Sequence, residues 1–183
     1  MADSQVHLFD PVERFIVGTV GEPGDRTFFI QARTGSRLVS VALEKTQVAA
    51  LAERIMQIIK EVRISEPLVN IERILPDNQP LETPIDEEFR VGVIGLAYVS
   101  DRNMIEIDLQ AITEKEPEEE EFLEINNLES QEILRVLISL GYSNSFAKRA
   151  QIVLGAGRAP CPFCGGPIDP GGHLCPRANG YRR

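Results

Sequence analysis

Between Arg14 and Leu43 the apolar and polar positions follow a two-residue period. Arg14 to Val20 is rich in β-branched side chains. Arg26 to Arg33 places Phe28, Ile30 and Ala32 on one side, and Arg37 to Leu43 does the same with Val39, Val41 and Leu43. Turn residues separate the three runs. In Glu22-Pro-Gly-Asp25 proline pre-sets φ and glycine accepts a positive φ, and Thr34-Gly-Ser36 turns the chain again. The pattern predicts a three-stranded antiparallel meander. From about residue 45 to 63 the period changes to that of a helix, with Val48, Leu51, Ala52, Ile55, Ile58, Ile59 and Val62 forming one stripe. Pro67, Pro76, Pro80 and Pro84 then disfavour both helix interior and central strand. Residues 64–88 are expected to be a loop with a short extended piece at Val69–Ile74. Phe89 to Val99, the turn Ser100-Asp-Arg-Asn103 and the clean alternation of Met104 to Leu109 predict a second hairpin. Ile133 to Ser139 reads either as a strand or as the start of a helix. A helix capped by Ser143 or Ser145 should follow and run to about Leu154, stopped by Gly155-Ala-Gly157.

This order implies an α+β fold: an antiparallel sheet of about six strands packed against two helices, with a zinc-ribbon-like module at the C-terminus. The expected organisation is a body over residues 1–157 and a tail over residues 158–183. No run of apolar residues approaches the length of a membrane helix. The first residues lack the basic and apolar regions of a secretory signal.

Charge is spread unevenly along the chain. Residues 1–143 carry 13 basic and 27 acidic side chains, a balance of −14, whereas residues 144–183 carry six basic and one acidic, a balance of +5. An acidic body argues against general binding of nucleic acid or anionic membrane. The densest charge lies at Glu114-Lys-Glu-Pro-Glu-Glu-Glu-Glu121, which repels itself and buries nothing. The surrounding stretch, about 114–125, is expected to be a solvated loop.

All three cysteines and one of the two histidines sit near the C-terminus in the spacing C-x2-C-x8-H-x-C. Cys161, Cys164, His173 and Cys175 are four thiolate or imidazole donors, the number that a tetrahedral structural zinc requires. Pro160 and Gly165 suit the sharp turn that brings the first pair onto one ion. Pro167, Pro170, Gly171 and Gly172 leave the intervening segment too little apolar surface to fold alone, so a metal would have to fix it. A redox C-x-x-C normally follows a strand and opens a helix, which is not the case here. A catalytic metal keeps a coordination position open, and four good donors leave none. An odd cysteine count confined to one cluster is no disulfide framework and fits a reducing cytoplasm.

Other chemistry is sparse. His7, alone near a terminus, reads as an ordinary surface or packing histidine. Arg26, Arg33, Arg37, Arg90 and Arg135 lie on predicted strands and either line an anion pocket or pair with the acidic excess. The glycines of Gly18-Thr-Val-Gly-Glu-Pro-Gly-Asp25 have no Walker lysine and no following helix, so they read as a hairpin turn. Asp86-Glu-Glu88 borders the proline-rich loop and reads as a solvated turn.

Four stretches carry a resemblance: Arg26-Thr-Phe-Phe-Ile-Gln-Ala-Arg33, Ser40-Val-Ala-Leu-Glu-Lys45, Phe146-Ala-Lys-Arg-Ala150, and the tail from Cys161 to Arg183. Together they resemble the bacterial domain-of-unknown-function family 3090 over nearly the whole chain. The acidic stretch lies outside the shared pattern. The resemblance implies a cytoplasmic protein. It brings no activity, and it suggests as partners a kinase-like protein or a phosphoglycerate-mutase-like phosphatase. The expected function is that of a non-catalytic adaptor using the zinc module. Arg177, Tyr181, Arg182 and Arg183 are its candidate partner or anion contacts, because arginine and tyrosine combine contact area with hydrogen bonding. Two alternatives stand beside it: an enzyme or binder of a phosphorylated small molecule through an arginine-lined pocket, and a nucleic-acid-binding tail.

Overall fold

The computed structural model describes residues 5–112, 132–157, 161–168 and 171–177. Within them the chain forms strands β1 (Val6–Phe9), β2 (Arg14–Val20), β3 (Thr27–Thr34) and β4 (Arg37–Leu43), helix α1 (Lys45–Ser65), strands β5 (Glu87–Val99), β6 (Met104–Ala111) and β7 (Ile133–Ser139), and helix α2 (Leu140–Gly155). The acidic stretch 114–125 lies outside the described residues.

The meander and the second hairpin form as the alternation predicts. β2, β3 and β4 pair antiparallel in sequence order, and β5 pairs antiparallel with β6. The sheet as a whole corrects the expectation. It has seven strands in the order β1-β7-β6-β5-β4-β3-β2 and is mixed, not antiparallel. β4 lies parallel to β5, because the chain must cross over through α1 and the long loop to reach it. β1 lies parallel to β7, with Val6 opposite Ile133 and Phe9 opposite Val136.

The sheet also curls. β1 and β4 are four strand steps apart, about 19 Å in a flat sheet. Yet Arg37 on β4 sits with its guanidinium 4.6 Å from the centre of the Phe9 ring and donates to the Leu8 carbonyl at 3.0 Å. Into the resulting concavity go the inward residues of the strands, among them Ile30, Val41, Ile105, Ile107, Leu109 and Val136, all fully buried.

α1 buries the whole stripe that the period picked out, from Val48 to Val62. Its first turn is held by Gln47, whose Oε1 accepts the Glu44 backbone N–H at 2.8 Å and whose Nε2 donates to the Val91 carbonyl at 2.9 Å. The helix start is thereby tied to β5. α2 begins four to six residues earlier than the serines at 143 and 145 suggested. Its cap is Ser139, whose Oγ accepts the Tyr142 N–H at 3.2 Å. Ser143 and Ser145 are instead buried within the helix and bond backbone carbonyls of Ser139 and Leu75. Phe146 on α2 stacks on Phe15 of β2, ring centres 4.6 Å apart.

The loop from Glu66 to Asp86 has no regular structure, as its prolines require, but it is firmly fixed. Arg149, buried on α2, donates to the carbonyls of Val17 at 2.7 Å, Gln79 at 2.8 Å and Asp77. Arg14 on β2 donates to the Asp77 carboxylate at 2.7 Å and to the Pro80 carbonyl at 3.0 Å. Gln31 on β3 exchanges two hydrogen bonds with the Glu82 backbone, at 2.8 and 3.0 Å. The loop is a strap across β2, β3 and α2. No helix of the described residues is long and apolar enough to cross a membrane.

Candidate metal centre

The C-terminal donors converge as their spacing predicts. One ligand atom from each of Cys161, Cys164, His173 and Cys175 lies within 4.8 Å of the other three, close enough to hold a metal ion. Cys164 Sγ is 3.3 Å from His173 Nε2, and Cys161 Sγ is 3.7 Å from Cys175 Sγ. The thiols are free, and the latter separation is far beyond the roughly 2.05 Å of a disulfide bond. Cys161 and Cys175 are buried, while Cys164 and His173 are half-buried.

The local chain is built for this convergence. Gly165 takes a φ of 75°, which a side chain resists, and its N–H donates to the Cys161 carbonyl at 2.8 Å. The Cys161 N–H returns a bond to the Gly166 carbonyl at 2.7 Å, closing the knuckle. The Phe163 N–H lies 3.4 Å from Cys161 Sγ. Burial alone would raise the Cys161 thiol. Backbone N–H groups of Cys164 and Phe163, with the neighbouring thiols, outweigh it and bring the thiol below its ordinary value. The neighbouring Cys164 thiol moves the other way: the Gly166 backbone lowers it, but burial and the Cys161 and Cys175 thiols raise it overall. On the second arm Gly172, at φ 89°, turns the chain just before His173.

Two apolar side chains stand out beside the donors. Phe163, between the first two cysteines, is 64 % exposed, and Leu174, between His173 and Cys175, is 88 % exposed. Both are large, both lie inside ligand-bearing turns, and neither is packed into the core. Their exposure could not be read from the sequence, where an apolar residue between ligands suggests packing as readily as display. Arg177, from the candidate contact set, donates to the Phe163 carbonyl at 3.0 Å and so sits against the knuckle. Tyr181, Arg182 and Arg183 lie outside the described residues.

The strand arginines do not gather into one pocket. Arg33 pairs with Glu82 at 2.9 Å and Glu13 at 3.5 Å, Arg90 with Glu44 at 3.4 Å and Glu87 at 3.7 Å. Arg135 grips Asp108 through two bonds of 2.6 and 2.7 Å. Arg26 donates to the Ala156 carbonyl at 2.6 Å, and Arg37 covers Phe9. Three of the five are therefore paired with the acidic excess, and Arg26 and Arg37 donate to backbone carbonyls. Asp86 remains before β5, whereas Glu87 and Glu88 open it.

A search of curated proteins gave no match, and neither did a search of solved structures. The model of one family, described as a protein of unknown function (DUF3090), matches residues 7–175, and the chain belongs to that family.

Proposed function

We propose that this member of a family of unknown function is a non-catalytic adaptor whose C-terminal module is folded by a structural zinc and presents a recognition surface to a protein partner. The observation that carries the reading is the pairing of a complete four-donor set with two exposed apolar residues inside its turns. Three thiolates and an imidazole fill a tetrahedral zinc shell and leave no position for substrate. Phe163 and Leu174 meanwhile remain in water, where an isolated module gains nothing from them. Arg177 lies against the knuckle as a polar contact, and Tyr181, Arg182 and Arg183 follow it in sequence as further candidate contacts. The basic balance of the last 40 residues, +5, calls for an acidic face on the partner.

The arginine-pocket alternative loses support from the dispersal of those side chains into ion pairs. The nucleic-acid alternative rests on the tail charge alone.

The test is direct binding to purified candidates, beginning with the kinase-like and phosphoglycerate-mutase-like proteins that the family resemblance suggests. Phe163→Ser combined with Leu174→Ser should retain zinc and weaken binding by at least about tenfold, the scale of losing interface anchors. Unchanged binding by the double variant contradicts a recognition role for the module. Binding to nucleic acid that falls steeply with salt would move the reading to the other alternative.

A further inference from the structure

β1, β5 and β7 begin at the same end of the curled sheet, and a second group of donors meets there. His7 on β1 is 7 % exposed, and its Nε2 lies 4.0 Å from Oε1 of Glu88. Glu132, the residue before β7, completes the group: one donor atom from each of the three lies within 4.8 Å of the others. Glu132 is held in place through its backbone. Its carbonyl accepts the Ala111 N–H at 2.9 Å, and the adjoining Ile133 N–H donates to the Gln5 carbonyl at 2.9 Å.

Glu88 reaches this place because β5 is irregular there. Neighbouring residues of a regular strand face opposite sides of the sheet. Phe89 faces His7, with ring centres 6.5 Å apart, so Glu88 ought to point away. Instead Ser40 pairs with Glu87 and Val41 with Phe89, which leaves Glu88 as an extra residue with no partner across the ladder. A bulge of this kind re-aims a side chain. It brings Glu88 and Phe89 to the same histidine. Two carboxylates and an imidazole, from β1, β5 and the residue before β7, thus share one point, although the sequence separates them by more than 120 residues. The Gln5 amide lies 3.4 Å from His7 Nε2, and turning that amide over replaces its nitrogen by an oxygen, a fourth donor.

We propose that His7, Glu88 and Glu132 form a second metal site, for a divalent first-row cation, distinct from the cysteine site. One imidazole and two carboxylates suit manganese, iron(II), cobalt or zinc. Their two negative charges balance the dication. Three protein donors leave coordination positions for water or for an oxygen-bearing ligand, unlike the closed C-terminal set.

Manganese is the discriminating probe, because it favours carboxylate oxygen over thiolate. The full chain carrying one equivalent of zinc, enough for the cysteine site alone, is titrated with Mn²⁺ and free ion is read by electron paramagnetic resonance. The wild type should bind saturably. Glu88→Gln and Glu132→Gln, which keep side-chain size, should each weaken binding by at least about tenfold. Glu87→Gln, a carboxylate change on the same strand outside the group, should not, and zinc content should be the same in all four proteins. Absence of saturable binding by the wild type, or equal binding by all variants, overturns the site. Circular dichroism confirms the fold. If Glu132→Gln disturbs it, Glu88→Gln decides the matter alone, since the Glu88 side chain is 41 % exposed and its loss leaves the core intact.

Discussion

Arg149 is the side chain on which most of the strap depends. It is 8 % exposed and donates to three carbonyls, that of buried Val17 on β2 and those of Asp77 and Gln79 on the more exposed loop. Removing it leaves the Val17 acceptor buried and unpaired, at a cost of about 1–3 kcal/mol, and releases the two loop carbonyls. Arg149→Ala should therefore destabilise the protein by about 1–3 kcal/mol in urea unfolding. Asp77 makes a related prediction about pH. A hydrogen bond from Arg14, assisted by the Gln79 N–H and by Arg149, holds its carboxyl below the ordinary 3.8 against the opposing pull of burial. A depressed carboxyl contributes stability that is present above its unfolded value and lost as pH falls through its folded value. Wild-type stability should accordingly decline as pH drops from about 5 to below 3.8. Asp77→Asn should be weaker at neutral pH and decline less over the same interval. At this scale the sequence was legible where ligand chemistry forces spacing, as in the four C-terminal donors. It was silent where a charged side chain answers backbone carbonyls, because a carbonyl has no residue type to signal it. Arg149 therefore reads like any other surface arginine. Glu88 was misread for a similar reason, since a bulge is set by the register of the neighbouring strand.

Among the elements, those with a long and regular period were predicted closely. α1 needs only its own apolar stripe, and β2 to β4 need only alternation and two turns. β1 was missed because four residues carry too little pattern and their partner β7 lies far along the chain. The parallel pairing of β4 and β5 was overlooked for another reason: the hydrophobic pattern of a strand does not reveal the direction of its neighbour. The start of α2 was misplaced because three serines compete as caps and only packing selects Ser139. That selection is testable. Ser139→Ala should cost about 1 kcal/mol, the usual value of a lost helix cap. Gly141, in the first turn of α2, should resist substitution despite the better helix propensity of alanine. A Cβ there would meet the Glu72 carbonyl oxygen at 2.5 Å and the Glu72 Cβ at 3.1 Å. Backbone of the strap lies in the way and cannot swing aside as a side chain would. Thermal unfolding of Gly141→Ala should show a clear loss of stability; a gain would mean that the strap does not lie against α2.

For the whole molecule, we propose a division into a body with its own core and a metal-dependent module. The body packs both helices on a curled sheet, and its hydrophobic cluster is drawn from every strand and both helices and, among the described residues, from none of the tail. Chelation should therefore disorder the C-terminal module, visible as new proteolytic sites after residue 157, while the far-ultraviolet dichroism and the main unfolding transition stay in place. A single cooperative collapse on chelation would join the two parts into one unit. The central claim is narrower: Cys161, Cys164, His173 and Cys175 hold zinc. X-ray absorption at the zinc edge of the purified, dialysed protein tests it most directly. The account predicts a four-coordinate shell of three sulfurs at about 2.3 Å and one nitrogen at about 2.0–2.1 Å. A protein that retains no zinc, or a shell made mainly of oxygen and nitrogen, would contradict it.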